Sequence, residues 1–516
     1  MVKRGNILQN SFWYGIEIAA DIVLGAIASI VTARVMGPEL LGHFVYFVFL
    51  TNVAGRLGGL GMASAAKKYI AEHLARDEKG LVRLVFFAVL RMQTVLAVVI
   101  PLLGIGFLML FGDPTHRTMA CLLVLSIGPA LVSVVPAMAN VAAESFSRNV
   151  PGALLGLFAY VTTVALTLTL DWGLVGLASA VLLRRSVEMT VRLWPAIRWM
   201  KSLPVVPSPE GLNRKVLAFS GQALAVSVLM IVVWDRSELL FLKQFSSITE
   251  LAFYTVAFGL TEQILMLPNI FGGAVGAALM AEHGRNQDRA GERAANAMRY
   301  MCLMVFPIHV GIAALSSPLI RLTYGPAYLP AIHVLSIAML LAIPKAFFWM
   351  PWSVYQAADR QATMFRWLLA AAILNLTLDA TLIPHYGSIG AALANGISQA
   401  FAVISMWPTA ARLCHLRLPW NSLVRIAFAA AVMGAVVALA PWLLHSLAAT
   451  VLGIVLGVLL YGVLLRLTRA LGQEDGEAFS QLTGRLPGSL RRLLARAVRL
   501  LGASAGPVPQ SAPVVD

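Results

Sequence analysis

The sequence predicts an all-α polytopic membrane protein with about 14 transmembrane helices, arranged as two six-helix lobes followed by two extra C-terminal helices. Three observations carry that prediction. The 516-residue chain is 59% hydrophobic and only 12% charged, with a mean hydropathy of +0.80; a soluble protein of this size carries roughly twice that charged fraction. Its apolar residues fall in blocks of the ~20-residue length that crosses a bilayer. A self-match at a nearly constant offset marks two copies of one unit.

Fourteen runs meet the length criterion, at about 11–36, 41–66, 84–111, 118–139, 151–171, 173–194, 216–243, 250–280, 299–323, 331–354, 366–385, 387–411, 423–445 and 448–468. Spans five and six are separated only by Asp171-Trp172, and spans eleven and twelve only by His385-Tyr386, so both pairs read as tight helical hairpins. Span six is interrupted halfway by Arg184 and Arg185. Met1 to Asn10 is basic, but the apolar stretch after it carries Glu17 and Asp21 and no small-residue cleavage site. It reads as a retained first span.

The formal net charge of +15 reflects topology rather than nucleic-acid binding. Counting alternate loops and adjoining helix ends puts 29 of the 39 Lys and Arg residues on one side. The other side has four (Arg34, Arg117, Lys243 and Arg321), and six lie within spans. The positive-inside rule then places both termini in the cytoplasm. Cys121, Cys302 and Cys414 are far apart and form no CxxC pair, so no disulfide framework or zinc site is indicated.

The repeat rests on several short matches. Ala71-Glu72-His73 recurs as Ala281-Glu282-His283, and Val124-Leu125-Ser126-Ile127 as Val334-Leu335-Ser336-Ile337, both 210 residues later. Gly173-x-x-Gly176-x-Ala178-x-Ala180 matches Gly387-x-x-Gly390-x-Ala392-x-Ala394 at 214. Six spans per period give two lobes of the same topology, with substrate between them and rocking as the route to alternating access. The expected divisions are an N-lobe over 1–199, a Pro-rich cytoplasmic linker over 200–215, a C-lobe over 216–413, two further spans over 414–470 and a cytoplasmic tail over 471–516. Within that tail, Ser489 to Leu501 forms an amphipathic pattern suited to an anionic leaflet.

Certain motifs resemble a known family. Ala33-Arg34-Val35-Met36-Gly37-Pro38-Glu39-x-x-Gly42 is similar to the "ARxLGPexyG" signature of polysaccharide flippases in the multidrug/oligosaccharidyl-lipid/polysaccharide exporter superfamily. Gly58-Gly59-Leu60-Gly61 leading into Lys67-Lys68-Tyr69-Ile70-Ala71-Glu72 resembles that family too. So do Asp235-Arg236 with Tyr254-x-x-Ala257, and Asn375-x-x-x-Asp379-x-x-Leu382-Ile383-Pro384-x-x-Gly387-x-x-Gly390. At Asp379 the family more often has Asn. The resemblance runs over about residues 5–415 and points to the oligosaccharide (Wzx-type) branch. It implies a bacterial inner-membrane flippase for undecaprenyl-pyrophosphate-linked oligosaccharide, serving O-antigen, capsule or exopolysaccharide synthesis. It also implies membrane lipids, a chain polymerase and other polysaccharide-assembly proteins as partners, and H+ or Na+ as coupling ion. A cation-coupled multidrug exporter and a lipid II flippase of the same superfamily stay open as alternatives.

A charge at mid-bilayer costs about 2.5–3.5 kcal/mol on insertion scales, so twelve facing lipid would cost about 30–40 kcal/mol. Most must face a polar interior or one another. Arg56, Arg184, Arg185, Arg236 and Lys345 are the candidates for binding a pyrophosphate, because Arg in particular grips phosphate oxygens and stays charged when desolvated. The alternative is that each neutralises a carboxylate, such as Glu188 for Arg184 and Arg185, or Asp21 or Glu262 for Arg236. Glu17, Asp21, Asp235, Glu262 and Asp379 are the candidates for ion coupling. Glu17 and Asp21 share one face of span one. Glu262 lies some 18 Å into span eight, with pairing to Lys345 or a protonated state as its alternative, and Asp379 has hairpin bracing as its alternative role. Arg34 is accounted for by pairing with helix-terminal carbonyls. No metal site, cofactor site or catalytic motif is present: the chain lacks GxSxG, a Walker loop and HExxH. The chain therefore reads as a transporter and not an enzyme.

Overall fold

The computed structural model describes the backbone of residues 7–283, 287–439 and 447–470. The side chains of Glu17 and Asp21 and the expected amphipathic helix at 489–501 lie outside the described residues. Among the described residues the secondary structure is entirely helical. That is what lipid demands of an open chain, because a helix satisfies its own backbone donors and acceptors without water.

The long helices are α1 (Ile7–Gly58), α3 (Lys79–Phe111), α6 (Val150–Thr169), α7 (Gly173–Lys201), α8 (Leu212–Trp234), α10 (Ile248–His283), α11 (Gln287–Ala314), α15 (Gln361–Leu413), α16 (Trp420–Val437) and α17 (Leu447–Leu467). Shorter pieces stand between them: α2 (Met62–Ala75), α4 (Arg117–Leu125), α5 (Ile127–Ala142), α9 (Glu238–Phe245), α12 (Ser316–Thr323), α13 (Ala331–Leu341) and α14 (Trp349–Ala357). Among the described residues, eleven helical stretches are long and apolar enough to cross a membrane. Two of them are merged pairs. α1 breaks at Gly37, ahead of Pro38. The 53-residue α15 would extend about 80 Å if straight, against a hydrocarbon core of about 30 Å, and it breaks at Gly387. α7 is long enough but too charged for the same criterion, holding Arg184, Arg185, Glu188 and Arg192. With these the number reaches about fourteen.

The repeat seen in the sequence reappears as local geometry. Both hairpins turn on a glycine with positive φ, Gly173 at 58° and Gly387 at 53°, a conformation that costs a side-chain-bearing residue energy. Three residues on, Gly176 lies against the Thr167 side chain and Gly390 against the Leu382 backbone, where a Cβ would collide. In the second hairpin the Glu250 carboxylate also accepts from the Ser388 backbone N–H at 2.9 Å and from the Ser388 hydroxyl.

Five predicted spans are not continuous. Span two breaks at Gly59–Gly61, span four at Ser126, span seven at Asp235-Arg236-Ser237, span nine at Leu315 and span ten around the Pro344–Phe347 turn. The apolar runs hid these interruptions, because hydropathy averages over about 19 residues and a three-residue break hardly changes it.

The helices cluster into two compact units. One comprises Met1–Thr255, Thr323–Ala327 and Ala372–Ala391. Its core includes Met62, Ile70, Phe86, Val135 and Met200, with a second cluster around Phe44, Met119, Leu123 and Leu177. The other comprises Val256–Leu322, Tyr328–Ala371 and Ala392–Asp516, with Met301, Val305, Phe347, Ile426, Met433 and Tyr461 in its core.

Candidate functional site

The break between α8 and α9 organises the first unit's charges. Asp235 leaves the end of α8 with non-helical backbone and pairs with Arg56 of α1. The pair is not enclosed by protein, with side-chain exposures of 56% for Arg56 and 31% for Asp235. One turn earlier on the same face of α1, Asn52 accepts from Arg185 of α7 at 2.6 Å, and Arg185 also donates to the Ser126 hydroxyl at 2.9 Å. Ser126 stands where α4 gives way to α5. Arg56, Asn52 and Arg185 thus form one polar strip in which Arg185 donates its hydrogen bonds to neutral oxygens.

Its neighbour fares differently. Arg184 donates from Nε to Glu188 at 3.0 Å, and Arg192 approaches the same carboxylate at 3.3 Å. Adjacent arginines on a helix point about 100° apart, so one reaches its own helix's acid and the other faces α1 and α4. Glu188 therefore bonds Arg184 directly and reaches Arg185 only through space.

Three residues beyond Asp235, the break turns inward. Glu238 is fully buried and accepts from the Tyr254 hydroxyl at 3.0 Å and from Asn375 Nδ2 at 3.2 Å. The Ser237 hydroxyl in turn donates to Asn375 Oδ1 at 3.1 Å. Arg236 lies close enough for its charge to act on Tyr254, while Glu262, one of its expected partners, is engaged elsewhere. Asp379, one turn from Asn375 on α15, is also fully buried and within electrostatic range of Glu238. Both its carboxyl oxygens lack a hydrogen-bond partner among the described residues. Asp379 therefore makes no hydrogen bond within the hairpin. An ionised carboxylate so placed is costly unless a proton or small cation neutralises it.

The second unit has its own charged pair. The Lys345 ammonium, in the turn set by Pro344, lies 2.5 Å from Glu262 Oε1 of α10 and 5.5 Å from the Phe258 ring centroid. Side-chain exposures are 10% for Lys345 and 36% for Glu262. Arg34 is exposed with no hydrogen-bond partner among the described residues, so its expected pairing with helix-terminal carbonyls is not made.

Sequence reasoning assigned no role to Glu238, Asn52 or Ser126, and quoted Tyr254 and Asn375 only within motifs. The signal available was spacing. Asp235-x-x-Glu238 and Asn375-x-x-x-Asp379 each put two polar groups within one helical turn inside an apolar run. No group of three or more metal-ligating side chains occurs among the described residues.

The sequence profile of the family described as "Polysaccharide biosynthesis protein" matches residues 31–333, and that of "Lipid II flippase MurJ" matches residues 257–461. A search of curated proteins finds no match. Among solved structures, the chain is similar to the lipid II flippase MurJ in an inward closed conformation, with a TM-score of 0.71 at 15% identity, covering 88% of this chain and 98% of that one. It is also similar to an inward-facing multidrug resistance MATE family transporter of the MOP superfamily, at TM-score 0.63 and 16% identity over 77% and 94% of the two chains. A MOP superfamily transporter from Pyrococcus furiosus, described as having a binding pocket of reversed polarity, matches at TM-score 0.58 and 15% identity over 80% and 97%.

Proposed function

We propose, on the premise that this chain belongs to the polysaccharide biosynthesis protein family of membrane flippases and transporters, that it flips lipid-linked oligosaccharide across a bacterial inner membrane. The substrate is an undecaprenyl-pyrophosphate-linked glycan, carried from the cytoplasmic to the periplasmic leaflet by alternating access of two six-helix lobes. It serves O-antigen, capsule or exopolysaccharide assembly.

One observation carries the reading. Arg185 sits inside a spanning helix with neutral hydrogen-bond partners only, Asn52 and Ser126, beside Arg56, more than half of which no protein covers. Such a strip has positive charge to spare for a pyrophosphate, and guanidinium–phosphate bonds are among the strongest neutral-pH contacts available. Arrival of the phosphate competes with Asp235 for Arg56. Because Asp235 and Glu238 sit on the same short break, loosening that pair bears on the buried Glu238–Asp379 pocket, where H+ or Na+ binds. Substrate and coupling ion thereby act on one mobile joint.

The test is flipping of an undecaprenyl-pyrophosphate glycan in proteoliposomes. Arg185→Gln lowers the rate by about tenfold or more, the value of one charge-assisted hydrogen bond, whereas Arg184→Gln changes it by less than about threefold. Equal effects of the two would remove the support for Arg185. A second reading, with lipid II as substrate, is favoured by the fold match to MurJ and the profile match over residues 257–461. Presenting lipid II and a lipid-linked repeat unit to the same vesicles decides between them.

A further inference from the structure

A cavity of about 300 Å³ lies where the start of α3 meets the connector between α7 and α8. Its walls include Arg83, Phe87 and Arg91 from α3 and Val205, Val206 and Ser208 from the connector, and no acidic residue lines it. The connector is fastened there by two contacts. Arg83 Nη1 donates to the carbonyls of Lys201 at 3.1 Å and Leu203 at 2.7 Å, and the Val206 side chain fills the space that a Cβ on Gly80 would need. Arg91 is exposed and makes no hydrogen bond or ion pair among the described residues.

The helix face above Arg91 is apolar and open. Val95, Val98 and Leu102 follow Arg91 at intervals of four, three and four residues, the spacing of one helical stripe, and all are more than half exposed. A cationic cavity at the foot of an exposed apolar stripe has the two-part chemistry of a membrane lipid: an anionic head and an acyl chain beside it.

We propose that this cavity binds the headgroup of an anionic glycerophospholipid from the cytoplasmic leaflet. Its phosphate meets Arg91 and the remaining donors of Arg83, and its acyl chain lies along Val95, Val98 and Leu102. The orientation follows from the charge bias of the loops, and that leaflet is the one rich in anionic lipid. A free phosphate has no use for the stripe. An oligosaccharide on a pyrophosphate exceeds a volume of about 300 Å³. Occupancy ties the connector to α3 through both its walls, so the lipid acts as a clasp on the segment that joins the two repeats. The inference does not depend on which glycan is transported.

The test uses the full chain purified into nanodiscs of phosphatidylcholine with graded phosphatidylglycerol, with retained lipid counted by native mass spectrometry. The wild type keeps phosphatidylglycerol in preference to phosphatidylcholine. Arg91→Gln reduces that preference about fivefold, the effect expected of one arginine at an anionic surface. Arg91→Lys keeps most of it, and Val205→Asp, which puts a negative charge on the opposite wall without touching the Arg83 anchors, abolishes it. Arg117→Gln, beyond the far end of α3, leaves it unchanged. The proposal is overturned if wild type shows no preference, or if Arg91→Gln and Val205→Asp both retain it. It is also overturned if Arg91→Gln weakens binding of added undecaprenyl pyrophosphate while phosphatidylglycerol retention persists, which would make the cavity a substrate site. Loss of glycan flipping with lipid retention intact counts against the proposed transport function and leaves the lipid site standing.

Discussion

The Arg56–Asp235 and Lys345–Glu262 pairs are built alike and placed differently. Each joins a cation and a carboxylate far apart in sequence, and each has one partner on a break in an otherwise apolar run. Arg56 has more than half its side chain uncovered by protein, whereas Lys345 has a tenth. In the wet cavity proposed for the substrate, water shares the charge of the first pair, so its net contribution is at most about 1 kcal/mol. The buried ammonium of the second depends on Glu262, because an uncompensated charge in low dielectric is costly. An arriving anion can open the first pair cheaply; the second behaves as a strut.

The largest expected effect falls on that strut. Glu262→Gln leaves Lys345 without its counter-charge and lowers stability by about 2–4 kcal/mol, toward the lower end for buried pairs because Glu262 is itself a third exposed. Thermal unfolding in detergent reads this directly. The double variant Lys345→Met, Glu262→Met recovers most of the loss, since apolar residues of similar volume replace buried ion pairs at little cost. A Glu262→Gln protein as stable as wild type would erase the distinction between the two pairs.

Asp379 sharpens the comparison from another direction, as a buried acid whose carboxyl oxygens make no hydrogen bond among the described residues. Asp379→Asn keeps the shape and removes the ionisable group near Glu238. Stability is expected to stay within about 1 kcal/mol of wild type or to rise, because no hydrogen bond is lost. The dependence of flipping on an imposed H+ or Na+ gradient should disappear. A large loss of stability would assign Asp379 to the packing of the hairpin.

How much of this was legible beforehand depends on what each feature averages over. The spanning blocks were readable because each gathers about 20 residues of apolar signal. The hairpins were readable because Asp171-Trp172 and His385-Tyr386 interrupt long runs just ahead of Gly173 and Gly387, which then adopt positive φ. Arg56, Asp235, Glu262 and Lys345 stood out because a charge in such a run is expensive. Lys345 already stood as a possible partner of Glu262, but the Arg56–Asp235 pairing across 179 residues had no local signature. Glu238 was passed over for the same reason: its Tyr254 and Asn375 partners come from two other helices. The breaks themselves were invisible, since Ser126 and Ser237 weigh little in a hydropathy window.

The smallest structural effect tests the exposed pair, and its value lies in being small. Asp235→Asn removes the acid beside Arg56 but leaves both in water-accessible positions, so stability should change by less than about 1 kcal/mol. Freed of its counter-charge, Arg56 then offers its full guanidinium to an anion, and inorganic pyrophosphate should protect the variant against thermal unfolding at lower concentration than it protects wild type. Arg56→Gln should abolish that protection while unfolding at nearly the wild-type temperature. The sign follows from competition: whatever Asp235 contributes to holding Arg56 must be overcome by an incoming phosphate. If Asp235→Asn instead costs several kcal/mol, the pair is a second strut, and the joint between α8 and α9 is fixed by folding rather than released by substrate.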